Sequence, residues 1–271
     1  MSYADLIATW PVPHASAAVM SKEGTLAYAG DVDRIFPLAS VTKMLTAYAV
    51  LIAVEEGAVD LDEPAGPPSS TVRHLLAHAA GYEFDRKEVR STPGQRRMYS
   101  NAGFEVLADH LSARTGIEFA RYAHEAVFGP LGMDATSLGT SPAAGGTSCV
   151  RDLAAFGTEL LDPTLIDAST LREATSVQFP GIDGLLPGYG RQKPNDWGLG
   201  FEIRDHKSPH WTASSASART FGHFGQSGTF LWIDPDVELA CVALTDRDFG
   251  PWAITVWPDF SEAVYQEFGA L

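Results

Sequence analysis

Between Val41 and Val54 apolar residues occupy almost every side of a helix, and the run closes at Gly57, a residue suited to the turn that ends helices. A helix apolar all round has no face for water and belongs at the centre of a fold. Its head nevertheless carries Ser40-Val41-Thr42-Lys43, a serine and a lysine one turn apart on one side. A lysine on a buried helix is costly unless it is paired or neutral. Desolvation lowers the pKa of an amine, so Lys43 is expected beside the Ser40 hydroxyl as the base that takes its proton. The bland alternatives are an N-cap serine and a lysine that snorkels to the surface. The fold must in either case be built around this helix. Ser40 then stands at its N-terminus, where free N–H groups and partial positive charge face the hydroxyl.

Two further polar clusters follow, Tyr99-Ser100-Asn101 and His223-Phe224-Gly225. With two Asn and eight Tyr, a Tyr-x-Asn pair is expected only about 0.06 times by chance. Tyr99 is the second acid/base candidate, for the leaving group or the deacylating water, and a Lys43 ammonium nearby would favour its phenolate. Asn101 can hydrogen-bond Lys43 or a substrate amide. His223-x-Gly225, expected at the start of a strand, offers a polar side chain and a glycine where substrate backbone can approach closely. Nucleophile, activating amine, second acid/base and oxyanion wall together make the parts for acyl transfer.

The segments around these clusters carry a resemblance. Phe36-Pro37-Leu38-Ala39-Ser40-Val41-Thr42-Lys43, Thr71-Val72-Arg73-His74-Leu75-Leu76-Ala77-His78, and Pro93-Gly94 ahead of Tyr99-Ser100-Asn101-Ala102-Gly103 are three of them. Pro130-Leu131-Gly132-Met133 and Gly222-His223-Phe224-Gly225 with Leu231-Trp232-Ile233-Asp234-Pro235 complete the set. Together they resemble the serine β-lactamase / penicillin-binding-protein family, in the branch of class C β-lactamases, D-amino-acid peptidases and β-lactamase-fold esterases. The resemblance implies an α+β fold, an antiparallel sheet built from N- and C-terminal segments with terminal helices, facing an all-helical lobe. It implies Ser40, Lys43 and Tyr99 as catalytic residues, with Asn101, His223, Gly225 and Gln226 around the substrate. The oxyanion hole would use the backbone N–H of Ser40 and of Gln226. His223 departs from the Lys-Thr-Gly of many members. A lysine there pairs with a substrate carboxylate as a permanent cation, whereas histidine at neutral pH is mostly uncharged. Uncharged short-chain esters are therefore expected to outperform carboxylate-bearing β-lactams or D-Ala-D-Ala peptides.

A hairpin over residues 16–30 that turns at Ser21-Lys22-Glu23-Gly24, strand character at 197–204, 218–233 and 238–246, and helical patches at 104–115 and 117–128 predict where the sheet and helices lie. Residues 261–268 read as a closing helix, and 64–70 and 205–217 as loops. The expected organisation is a sheet lobe of residues 1–62 and 181–271 and an inserted helical lobe of residues 63–180, acting as one catalytic unit. A net charge of −15 argues against nucleic acid or an anionic membrane as partner. The longest apolar run, Met44 to Val54, is too short to span a membrane. Residues 1–20 lack the pattern of a signal peptide, so a cytoplasmic location is expected. Cys149 and Cys241 read as reduced, structural thiols. His74 and His78 are four apart on a helix, but Leu75 stands where a zincin's glutamate belongs, so packing or capping is expected rather than metal. Nothing calls for a cofactor. The expected function is a serine hydrolase that forms an acyl-enzyme on Ser40 with a small-molecule ester, amide or peptide. The alternatives are a β-lactamase or D-Ala-D-Ala peptidase with its leader removed, and a non-catalytic binding module on the same fold.

Overall fold

The computed structural model describes residues 1–269. Helix α1 (Tyr3–Ala8) precedes the expected hairpin of β1 (Ala15–Ser21) and β2 (Gly24–Ala29). A short strand, β3 (Phe36–Pro37), leads through one 3-10 turn (Ala39–Val41) into the central helix α2 (Thr42–Glu55). Helices α3 (Val72–Leu76), α4 (Asn101–Thr115) and α5 (Phe119–Ala123) follow, the last running into a π turn over His124–Phe128. Strand β4 (Thr147–Ser148) pairs back onto β3 and is succeeded by α6 (Val150–Leu161) and α7 (Ala168–Ala174). A small hairpin, β5 (Gly184–Leu186) and β6 (Gly190–Gln192), comes before β7 (Glu202–Ile203). The chain ends with β8 (Phe221–Gly225), β9 (Thr229–Asp234), β10 (Leu239–Thr245) and helix α8 (Pro251–Phe268).

Six strands form one sheet in the order β2-β1-β10-β9-β8-β7, and every neighbouring pair is antiparallel. The N-terminal hairpin docks directly on β10, with Val19 opposite Cys241, so both ends of the chain build the sheet as expected. Side chains alternate across a strand, and each face has its own cover. Val19, Phe230, Trp232 and Cys241 pack with α1 and α8, while Met20, Leu231, Ile233 and Val242 join the core around α2 and α6. Because both faces are covered, β8, β9 and β10 are buried along their whole length. Every α2 residue from Thr42 to Ala53 is buried, Lys43 included.

Three expectations need correction. The closing helix begins at Pro251 rather than Ser261. Pro258 inside it looks like a breaker in sequence, but Ala253, Trp257, Phe260 and Val264 recur at helical spacing and are buried against the sheet. Residues 117–128 are not one regular helix, since α5 starts only where Glu118 caps the Ala120 and Arg121 N–H groups and gives way to the π turn at His124. Residues 197–204 contribute just Glu202 and Ile203 to the sheet. There the chain folds back on itself: Gly198 N–H donates to the Phe201 carbonyl, and Gly200 takes φ 87° where a Cβ would lie 2.2 Å from that of Ala47 on α2.

Glu159 on α6 fastens the central helix. Its carboxylate accepts from the Tyr48 hydroxyl at 2.6 Å, the Thr164 hydroxyl at 2.7 Å, and the Thr164 and Leu165 N–H groups at 2.8 and 2.7 Å. Removing it leaves the buried Tyr48 hydroxyl without its acceptor. Glu159→Ala is expected to lower the unfolding free energy by about 3 kcal/mol, read from the midpoint and slope of a urea titration. A loss below about 0.5 kcal/mol would show that the carboxylate is dispensable.

Candidate active site

Ser40 lies in the 3-10 turn one step before α2, and its hydroxyl caps neither that turn nor the helix. The N-cap explanation of this serine therefore fails. Ala39 just before it takes φ 45°, a conformation rare for a side-chain-bearing residue, so the turn presenting Ser40 is strained. Neighbouring strands clamp the approach to it. The Thr229 hydroxyl donates to the Leu38 carbonyl at 2.9 Å and the Ser227 hydroxyl to the Pro37 carbonyl at 2.7 Å.

Lys43 projects from the first turn of α2 into the interior. Its Nζ lies 2.6 Å from Asn101 Oδ1, 2.9 Å from the Ala143 carbonyl and 3.3 Å from Ser40 Oγ. It also sits over the rings of Tyr99 and Phe104, 4.7 and 5.7 Å from their centroids. Burial pushes its pKa down to about 7, with Asp85 and Glu105 opposing the shift. A neutral amine has two N–H donors and one lone pair. Two carbonyl-type oxygens at the shorter distances take the donors, which leaves the lone pair for the Ser40 hydroxyl proton. Asn101 is itself oriented, because its Nδ2 donates to Asp85 Oδ1 at 2.8 Å and so turns Oδ1 toward the lysine.

Tyr99 precedes α4, whose N-terminus is capped by Ser100 accepting from the Gly103 N–H at 3.0 Å. Its ring packs on His78 at 4.4 Å and approaches Trp197 and His223 at 5.7 and 5.6 Å. Here the phenolate expectation is corrected. Burial raises the phenol far above its ordinary value, and the hydrogen bond with Ser40 offsets only part of that shift. Tyr99 is a neutral O–H donor at rest. Its hydroxyl stands 3.2 Å from His223 Nε2, and His223 Nδ1 lies 2.6 Å from the Phe224 carbonyl. The imidazole therefore donates from Nδ1 to that carbonyl and accepts the Tyr99 proton at Nε2. Burial and the Lys43 charge push its pKa down to about 3, so it is uncharged.

His223 sits in the middle of β8 and Gly225 at its end, not at the strand's start as expected. The reason for the glycine also differs. A Cβ there would lie 2.3 Å from the Leu38 carbonyl oxygen and 2.6 Å from Thr229 Oγ1, so it is the nucleophile turn that approaches closely. That contact brings Gln226, the next residue, to the same cavity as Ser40. The cavity measures about 90 Å³ and is also lined by Tyr99, His223, Trp197 and Glu202. The seven residues singled out in the sequence thus converge on one place.

Sequence reasoning missed Asp85, the Ala143 carbonyl, Trp197 and Glu202. Burial alone would raise the Glu202 carboxyl, but Lys207 and His210 outweigh it and hold it at about 2. It pairs with the Lys207 ammonium and accepts from His210 Nε2 at 2.9 Å and Trp211 Nε1 at 2.8 Å. Of the two histidines on the α3 segment, His74 bonds the capping Thr71 hydroxyl at 2.8 Å. His78 is buried against Tyr99 and accepts the Ser100 N–H at 3.2 Å.

Known proteins resemble this chain in sequence or fold to differing degrees. A solved structure described as a beta-lactamase from Mycobacterium bovis is 56% identical, covers 99% of this chain and 100% of its own, and superposes with a TM-score of 0.98. The simvastatin synthase LovD from Aspergillus terreus shares the fold at 16% identity, with a TM-score of 0.82 over 98% of this chain and 96% of its own. The D-alanyl-D-alanine-carboxypeptidase/endopeptidase AmpH of Escherichia coli (strain K12) is 23% identical over 46% of this chain and 44% of its own length. Penicillin-binding protein 4* of Bacillus subtilis (strain 168) is 25% identical over 38% and 30%. The matched stretch thus spans less than half the length of either curated relative. A family model described as Beta-lactamase matches residues 8–260, and the chain belongs to that family.

Proposed function

We propose that this chain is a serine hydrolase that forms an acyl-enzyme on Ser40 and acts on esters or small amides. The observation that carries the reading is the Lys43 amine, buried, depressed to about pKa 7 and 3.3 Å from the Ser40 hydroxyl. In this reading the two lobes, residues 1–62 with 181–271 and residues 63–180, work as one unit. Ser40 Oγ attacks the substrate carbonyl carbon while its proton passes to Lys43 Nζ. Backbone N–H groups of Ser40 and Gln226 receive the oxyanion. The Tyr99 phenol gives its proton to the departing oxygen or nitrogen, and the Lys43 ammonium beside its ring steadies the transient phenolate. Collapse breaks the acyl–oxygen or acyl–nitrogen bond and leaves Ser40 acylated. Water then attacks the acyl carbon, its proton going to the phenolate. Lys43 returns its proton to Ser40 as the free acid departs.

A fluorophosphonate is expected to add one adduct at Ser40, absent in Ser40→Ala. The sign of the pH effect follows from the amine, whose neutral form is the base. The inactivation rate should rise with unit slope through about pH 7 and level off above it. Labelling at a different serine, or none where a known hydrolase reacts, contradicts the reading.

A second reading, β-lactamase or D-Ala-D-Ala peptidase, draws support from the description of the Mycobacterium bovis structure and the name of the Escherichia coli relative. The neutral His223 weighs against it, because an uncharged imidazole gives a carboxylate beside the reacting centre no ion pair. The deciding comparison is kcat/KM for p-nitrophenyl acetate and butyrate, a chromogenic cephalosporin and a D-Ala-D-Ala peptide. The esters are expected to lead, and His223→Lys to favour the anionic substrates relative to the neutral ones, most clearly at low salt. If the unaltered protein hydrolyses the cephalosporin faster than both esters, the second reading replaces the first.

A further inference from the structure

Beyond Tyr99 the small cavity at Ser40 opens toward a groove of about 600 Å³, a size suited to a ligand much larger than an acetyl group. Phe84, Tyr99 and Pro187 belong to both spaces. One wall is the loop ahead of α4, and the other is the β5–β6 hairpin. They meet where Gly184 passes so close to Arg97 that a Cβ would lie 2.6 Å from its carbonyl oxygen. The lining is mainly apolar, and two of its side chains, Phe84 and Leu185, stand 49% and 66% exposed, an arrangement that favours an apolar ligand.

The charges along the groove are as telling. Its carboxylates already have cationic partners, Asp183 in Arg191 at 2.9 Å and Glu83 in Arg90 at 3.2 Å, the latter shared with Glu88 at 2.9 Å. Two guanidinium groups have no carboxylate partner among the described residues. Arg97, 3% exposed, gives its N–H groups to the Asn195, Ala77 and Gln178 carbonyls, with no carboxylate in salt-bridge contact among the described residues. Arg96 lines the groove from an exposed position and has no ion pair among the described residues. A locally positive groove in a chain of net charge −15 marks a place for an anion.

We infer that this groove is the leaving-group subsite, and that it takes an extended apolar alcohol ending in a carboxylate held by Arg96. The inference rests on the hydrolase reading above. Its direction comes from Tyr99, which lines the groove and in that reading protonates the leaving oxygen. The deep end of the Ser40 cavity is walled by the buried Trp197, Glu202 and His223, which leaves room for a short acyl group only. During acylation the acyl carbon–oxygen bond breaks, the Ser40 ester bond forms, and the alkoxide leaves with the Tyr99 proton as an ω-hydroxy acid. Arg96 lines the groove and not the Ser40 cavity that His223 lines, so the preference for an uncharged reacting centre is kept.

The test uses three acetate esters of rising complexity: ethyl acetate, hexyl acetate and 6-acetoxyhexanoate, with released acetate as readout. The hexyl ester is expected to exceed the ethyl ester in kcat/KM by about tenfold or more. The carboxylate should add about fivefold at low ionic strength and lose most of that gain in 0.5 M salt, roughly a Debye length of 4 Å. Arg96→Glu should reverse the carboxylate preference, so that 6-acetoxyhexanoate falls below hexyl acetate. Equal rates for ethyl and hexyl esters, or an unchanged preference in Arg96→Glu, overturn the proposal. A binding measurement keeps this separate from the hydrolase reading. Calorimetric titration of Ser40→Ala protein with 6-hydroxyhexanoate should show binding that Arg96→Glu abolishes. If no ester turns over but that binding is seen, the hydrolase reading falls and takes the leaving-group role with it, leaving only an anion-binding groove; turnover without such binding overturns the groove proposal and leaves the hydrolase reading intact.

Discussion

The site depends on one amine buried without a carboxylate partner in contact. Lys43 is held by an amide oxygen and a backbone carbonyl, which are dipoles rather than charges, so burial outweighs them and the amine is poised to lose its proton near neutrality. Had Asp85 touched the lysine directly, the ion pair would have kept it charged. Instead the carboxylate acts one residue removed, orienting Asn101 at 2.8 Å while its charge tempers the shift. The buried α2 encloses this side chain, and the sheet, whose strands β8 to β10 are buried along their length, encloses α2 in turn.

The same logic separates the roles of three groups that all titrate in water. Burial drives Lys43 and His223 toward their neutral forms and keeps Tyr99 as a phenol. Above about pH 7 these three groups are therefore uncharged at rest. An oxyanion forming on the substrate would be the strongest charge there, met by backbone N–H groups in a small, partly enclosed cavity. The groove beyond Tyr99 is different in kind, wide and bordered by guanidinium groups, so reaction chemistry and substrate selection occupy adjoining but distinct spaces.

Much of this was legible in the sequence. The helix apolar on every side with Ser40 and Lys43 at its head, the Tyr99–Asn101 pair and the His223–Gly225 strand each announced themselves by pattern, and so did the sheet built from both ends of the chain. What stayed hidden had no side-chain signal to read. The Ala143 carbonyl is chemically like any other, and Asp85 is one acid in a polar loop until the fold brings it to Asn101. Trp197 and Glu202 look like strand residues, yet the turn between them is set by Gly200 pressing on α2. Gly225 was noticed for the wrong reason, since the close approach is made by Leu38 of the same chain. The phenolate expected of Tyr99 failed because proximity to a cation can be read from spacing, whereas desolvation appears only once the cavity is built.

The most direct measurement is the ionisation of Lys43 itself. The chain has five lysines, so carbon-13 labelling at Cε gives few signals, and the Lys43 resonance is the one lost in Lys43→Met. Followed against pH, that resonance should titrate with a midpoint near 7, far below an exposed lysine. A Lys43 that stays an ammonium beyond pH 9 would contradict the central claim, because no neutral amine would then be present to take the Ser40 proton.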